Sequence, residues 1–234
     1  MTPRPRSRSA LTGRGRPGGI FVTFEGVEGA GKSTQVERIA ARLLRAGVDA
    51  VVTREPGGTV SGRRLRAILL EHGAPPLFPT TELLLYAADR AQHVEEVVLP
   101  SLRRGAVVLC DRYLDATVAY QGFGRRLGAE RVLELHRHPP LDLRPDRTVL
   151  LDMDPLLALA RARRRNRTDA QLRAEGRMER ERIAFHRRVR TGYRTLARSE
   201  PGRFRVLSAA GPPGRVESRV RAALCDLLPA LDAP

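Results

Sequence analysis

The stretch GVEGAGKST, residues 26–34, packs three glycines, a lysine and two hydroxyl side chains into nine positions. Gly26, Gly31, Lys32 and Ser33 complete the spacing G-x-x-x-x-G-K-[ST]. The chemistry of that spacing is phosphate capture. Glycines let backbone N–H groups wrap the anion, the lysine reaches the β and γ phosphates, and the serine hydroxyl can hold a magnesium ion. Lys32 is the only lysine beside 41 arginines. A compact ammonium on a slim stem suits the inside of such a loop, where a planar guanidinium is bulkier and differs in geometry. The bland alternative is a glycine-rich turn with an incidental lysine. The flanks argue against it, because the apolar run FVTFE precedes the loop and the helix-forming STQVERIAARLL follows. Gly26, Val27, Glu28, Gly29, Ala30, Gly31, Lys32, Ser33 and Thr34 are therefore expected to contact a nucleoside triphosphate, ATP in the first instance. A second carboxylate fits the same chemistry. AVVLCD, residues 106–111, is an apolar strand ending in Asp111, which can hold magnesium beside Ser33.

Such groups act together only if the fold gathers them. Short apolar runs alternate with helical patterns: GIFVTFE then 33–46; DAVVT then 63–71 and 80–104; AVVLCD then 114–136; TVLLDMD then 155–165 and 178–197; FRVLSA then 214–228. Near-continuous apolar strands separated by helices predict an α/β doubly wound domain, a parallel sheet of about five strands with helices on both faces. EPGG at 55–58 and GPPG at 211–214 read as loops, and RRRNRTDAQLRAEGR, 163–177, as a charged excursion between two helices.

The 234 residues suffice for one compact domain, expected over 19–230. The opening residues 1–18 are basic and rich in Pro, Gly and Ser without a following apolar segment, so they read as a disordered tail rather than a secretory signal. No run of roughly 18 apolar residues suggests a membrane span. Cys110 and Cys225 lie far apart with no CxxC spacing, which suits a reduced cytoplasm. The formal charge of +16 is local: thirteen of those sixteen charges come from residues 1–18 and 161–190. That distribution and a low aromatic content argue against a nucleic-acid partner.

Three further blocks, TREPGGT at 53–59, YAADRAQH at 86–93 and DRYLDATVAYQG at 111–122, join EGVEGAGKSTQ and the helix around RMERERIAFHRRVRTGYRTLA, 177–197. Together they resemble thymidylate kinases over roughly residues 20–228. The resemblance implies a P-loop nucleoside-monophosphate-kinase fold with a short lid at about 161–177 and, commonly, a homodimer. It implies transfer of the γ-phosphate of ATP, with magnesium, to thymidine 5′-monophosphate (dTMP). By resemblance, Tyr86 stacks on the thymine ring, Arg90 reaches the base, Thr117 meets the base edge, Tyr120 polices the deoxyribose, and Gln121 faces the substrate. Arg112 then grips the acceptor phosphate, and Glu28 is the preferred catalytic carboxylate. The loop lacks an arginine, so in such relatives the lid supplies the catalytic cation. Arg161, Arg163, Arg164, Arg165 and Arg167 are candidates, Arg163 and Arg167 foremost. Glu179 joins Ser33 and Asp111 as a metal residue.

Two positions depart from the family pattern. Gly176 stands where Asp is common after the lid, and Ser208 where Asp is usual near the last strand. Two other readings remain open at this point. One is a kinase of the same fold acting on another or modified nucleoside monophosphate. The other is a nucleotide-gated nucleic-acid-binding module.

Overall fold

A computed structural model of the chain describes residues 18–71, 73, 75–169 and 174–232. Nearly all of the proposed basic tail, and residues 170–173 of the proposed lid, lie outside the described residues. Five strands form one parallel sheet: β1 (Ile20–Glu25), β2 (Ala50–Arg54), β3 (Val107–Asp111), β4 (Arg147–Asp152) and β5 (Phe204–Ser208), in the order β2-β3-β1-β4-β5. The three inner strands are almost wholly buried, which explains their unbroken apolar runs. Register places Phe24 of β1 level with Asp111 of β3. The loop after β1 and the carboxylate ending β3 therefore emerge side by side, at the strand ends where open α/β sheets bind ligands.

Helix α1 (Lys32–Arg45) buries Val36, Ile39, Ala40 and Leu43, a stripe at helical spacing that seats it on the sheet. Its start is Gly31, at φ 91°, a left-handed conformation that glycine enters freely. Gly29 (φ 77°) has a tighter constraint: a β-carbon there would sit 2.0 Å from the carbonyl oxygen of Ala158. The loop thus packs directly on the helix at Pro155–Thr168 that carries the five arginines of the proposed lid.

The expected 80–104 helix runs as α3 (Pro79–His93), a π-helical turn (Val94–Val98) and α4 (Leu99–Arg103). Pro100 cannot donate the hydrogen bond that a regular helix requires there, and the widened turn lies directly before it. The expected 114–136 helix is broken. Residues Leu114–Thr117 form α5, Val118–Gly124 a π segment, and Ala129–Leu135 α6, separated where Arg126 and Gly128 take φ 63° and 90°. Helix α7 (Pro155–Thr168) is longer than expected, so all five lid-arginine candidates are helical rather than part of an irregular excursion. A short 3₁₀ turn (Met178–Arg180) precedes α8 (Ile183–Ser199), and α9 (Pro213–Leu224) follows β5. Among the described residues, no helix is long and apolar enough to cross a membrane.

Candidate active site

One cleft opens at the carboxyl ends of β1, β2 and β3. Its lining includes Glu28, Lys32, Ser33, Asp111, Arg112, Tyr86, Arg90, Thr117, Tyr120, Gln121, Arg165 and Glu179. Residues from four separated sequence blocks therefore share one cavity.

On the loop side, Lys32 Nζ donates to the Val27 carbonyl at 3.0 Å, folded back onto its own loop. Burial pushes the ammonium down to about 8, with the Arg112 charge adding to the effect. Ser33 Oγ donates to Asp111 Oδ2 at 2.5 Å. These two oxygens form the hard, oxygen-only donor set that suits magnesium. Magnesium is usually held by one or two carboxylates plus substrate phosphates, and among the described residues no three His, Cys, Asp or Glu side chains group as a metal site. Glu179 lines the same cleft, and burial raises its carboxyl above the usual range.

Arg112 stands at the centre. It follows β3 at φ 70°, a left-handed conformation uncommon outside glycine, anchored by its N–H to the Phe24 carbonyl at 3.0 Å. Nη1 donates to the Gly26 carbonyl (3.0 Å) and Tyr193 Oη (3.1 Å), and Nη2 to Glu28 Oε1 (3.0 Å) and Tyr120 Oη (3.2 Å). Tyr120 Oη in turn donates to Glu28 Oε1 at 2.6 Å. Burial alone would raise the Glu28 carboxyl, but the guanidinium of Arg112, then His186 and Lys32, hold it well below the usual carboxylate range. The phosphate loop and the residue that follows β3 are thereby joined through one ion pair.

The far wall is equally committed. Arg90 is 1% exposed and bonds Glu55 through Nε (2.9 Å) and Nη2 (2.7 Å), while Nη2 also donates to Thr117 Oγ1 at 2.9 Å. Nη1 meets His136 Nε2 at 2.8 Å. The guanidinium can only donate, so that nitrogen is the acceptor and His136 Nδ1–H donates to the Val132 carbonyl (2.7 Å). Burial and the Arg90 charge accordingly push His136 down to about 4. Tyr86 lines the cleft, its hydroxyl pushed up by burial. Gln121 Nε2 donates to Glu82 Oε1 at 2.8 Å, so its amide is oriented by a carboxylate that no reading singled out.

Glu82 is wholly buried and also accepts from Arg125 Nε (3.0 Å) and Nη2 (3.1 Å) and from Arg177. Arg177 sits at the trailing edge of the proposed lid. Beside it, Glu175 accepts from Arg66 Nη2 at 2.7 Å and Arg125 donates to Glu181 at 2.5 Å. These ties fasten that edge although Gly176 brings no carboxylate. Of the five lid arginines, Arg165 lines the cleft, with Nη2 3.9 Å from Glu179 Oε1. Arg163 donates to the Glu179 carbonyl (3.4 Å) and Arg161 to the Ala209 carbonyl (3.2 Å), while Arg164 and Arg167 are exposed and outside the cleft lining. Ser208 Oγ accepts from the Ala210 N–H at 3.3 Å, a local turn bond.

Sequence reasoning passed over Glu25, Glu82 and His186. Glu25 ends β1, accepts from Tyr113 N–H and Tyr193 Oη, each at 2.8 Å, and is pushed up to about 8 by burial and then by the Asp115 charge. A carboxylate closing an apolar strand next to the loop was a usable signal. Glu82, Tyr86 and Arg90 lie four residues apart along one face of α3, so Glu82 was also within reach.

A phosphate-binding loop at the carboxyl end of the central strand of a parallel sheet, with a strand-end Asp bonded to its serine and an arginine-lined pocket opposite, defines a P-loop nucleotide-binding protein of the phosphotransferase type. The family model described as thymidylate kinase matches residues 24–220. The thymidylate kinase of Solidesulfovibrio magneticus is 53% identical over 201 residues, covering 86% of this chain and 96% of that protein. That of Geobacter sulfurreducens is 52% identical over 189 residues, covering 81% and 88%. The crystal structure of the Ehrlichia chaffeensis thymidylate kinase superposes with a TM-score of 0.71 at 32% identity, covering 89% of this chain and 99% of that one. The chain belongs to the thymidylate kinase family.

Proposed function

We propose that this chain transfers the γ-phosphoryl group of ATP to dTMP, making the diphosphate for dTTP synthesis in the cytoplasm. The observation that carries the reading is the shared cleft, in which Lys32 and Ser33 face Tyr86, Thr117, Tyr120 and Gln121 across the Glu28–Arg112 pair. An acceptor phosphate oxygen attacks the γ-phosphorus as the bond to the β-bridging oxygen breaks. That oxygen is already nucleophilic, so the protein's task is positioning and charge stabilisation.

Lys32 and the backbone of residues 26–34 hold the donor phosphates. Ser33 and Asp111, with Glu179 near, would hold magnesium, which would supply charge neutralisation to the donor phosphates. Arg112 grips the acceptor phosphate, Glu28 and Tyr120 orient that guanidinium, Tyr86 stacks on the base, and Arg90 with Thr117 and Gln121 fixes its edge. The lid cation comes from α7. Arg163 and Arg167 were the leading candidates by sequence, and the cleft lining favours Arg165 beside them. Residues 19–230 act as one catalytic domain with the lid at 161–177. The exposed Val60, Ile68, Phe78 and Leu84 of α2 (Val60–Leu70), α3 and the segment between them supply an apolar face for pairing into a homodimer.

A coupled phosphoryl-transfer assay with ATP and magnesium over a panel of nucleoside monophosphates tests the reading. Preference for dTMP is expected. A folded, ATP-binding protein that makes no thymidine diphosphate, or that acts only on another or a modified nucleotide, overturns it.

A further inference from the structure

We propose that His186 is a positioning residue that takes up a proton when the acceptor monophosphate binds, and so keeps Glu28 in place while Arg112 turns to the phosphate. The inference rests on the dTMP reading above.

His186 lies on α8, fully buried, with Phe185 packed edge-on at 5.4 Å. Neither ring nitrogen has a hydrogen-bond partner among the described residues, and neither does Glu28 Oε2. These orphaned groups face each other: His186 Nδ1 is 3.5 Å from Glu28 Oε2, at the outer limit of a hydrogen bond. Buried polar groups are ordinarily paired, so an unpartnered imidazole beside an unpartnered carboxylate oxygen is a pair poised to close.

The charged and titratable groups around the pair come from several elements. Lys32 belongs to the loop and α1, Arg112 follows β3, Tyr120 lies on the π segment, Glu179 on the 3₁₀ turn, and Tyr193 on α8 itself. In the free site Arg112 is the chief cation compensating the Glu28 charge. A phosphate dianion competes for Arg112 and leaves that carboxylate short of positive charge within a buried setting. Imidazole is the side chain that ordinarily charges near neutral pH. A solvent proton added to its ring would let Nδ1–H donate to Glu28 Oε2, replacing what the phosphate withdraws from Arg112, with no other bond made or broken.

Proton uptake on binding makes dTMP affinity fall as pH rises. Calorimetric titration of the full chain with dTMP, at about pH 7.5 where a phosphate monoester is dianionic, in buffers of different protonation enthalpy, counts the protons. Wild type is expected to take up roughly half to one proton per dTMP bound. H186F and H186Q are expected to take up none, to bind dTMP roughly three- to tenfold more weakly, and to bind ATP as wild type does. A merely structural role for His186 would not move the proton count. Equal counts in wild type and in either folded variant overturn the proposal. Wild type that binds ATP but not dTMP overturns instead the substrate reading beneath it.

Discussion

Replacing Arg112 by methionine removes four hydrogen bonds at once, to the Gly26 carbonyl, Tyr193, Tyr120 and Glu28. The partner that suffers most is Glu28, whose carboxyl is buried and loses the guanidinium that chiefly holds it ionised. Breaking a buried ion pair by deleting one member costs about 3–5 kcal/mol. The Arg112 side chain is 18% exposed, so the low end, about 3 kcal/mol, is appropriate. A charge-assisted contact from Arg112 to the acceptor phosphate worth about the same 3 kcal/mol in the transition state corresponds, at about 1.4 kcal/mol per decade, to a roughly 100-fold loss in kcat/KM for dTMP.

The pH profile carries a second signature. In wild type the depressed Glu28 carboxyl contributes stability that is complete above the unfolded carboxylate range. That contribution is lost only as pH falls through a folded value below this range, so activity is flat in this respect near neutrality. In the methionine variant His186 and Lys32 alone oppose the upward push of burial, so the Glu28 carboxyl rises and the pH dependence of activity shifts upward with it. Lysine at 112 restores the charge but not the fork that spans Glu28, the loop carbonyl and two tyrosines, so it should recover only about tenfold. Steady-state kinetics from pH 6 to 9, roughly the range in which a raised carboxyl titrates, check both effects. A methionine variant within about threefold of wild type at every pH would refute the assignment of Arg112 as the pivot of the site.

Glu82→Ala strips the buried acceptor from Arg125, Arg177 and Gln121, and should cost about 3–5 kcal/mol, lowering the melting temperature by roughly 6–20 °C. An unchanged melting temperature would show that the network holds nothing together. For Lys32, burial puts the folded value at about 8 against an ordinary 10.5. The cost of charging it is present below pH 8 and fades as pH rises toward 10.5. Nucleotide phosphates pull the value back up, so ATP affinity should fall between about pH 8 and 10. Fluorescence titration that finds affinity level over that range, or the same slope in Lys32→Met, would contradict this.

The sequence alone determined what depends on neighbours along the chain. The five strands follow from apolar runs, and the phosphate loop from glycines at fixed spacing, because backbone geometry there is set within a few residues. Register did the rest for Asp111: a strand-end carboxylate beside the loop strand must meet Ser33. Helix breaks were less legible, since Pro100, Arg126 and Gly128 act through local hydrogen bonds that a helical pattern hides.

Only tertiary structure decided which charges meet. Arg177 finds Glu82 across 95 positions and Tyr193 finds Glu25 across 168, pairings that periodicity does not encode. Five arginines in the lid region are chemically alike, and the rotation of α7 about its axis alone puts Arg165 on the cleft and turns Arg164 and Arg167 to solvent. The same holds for His186, ordinary in its helix and consequential only because the packing of α8 against the phosphate loop leaves it facing Glu28 out of water.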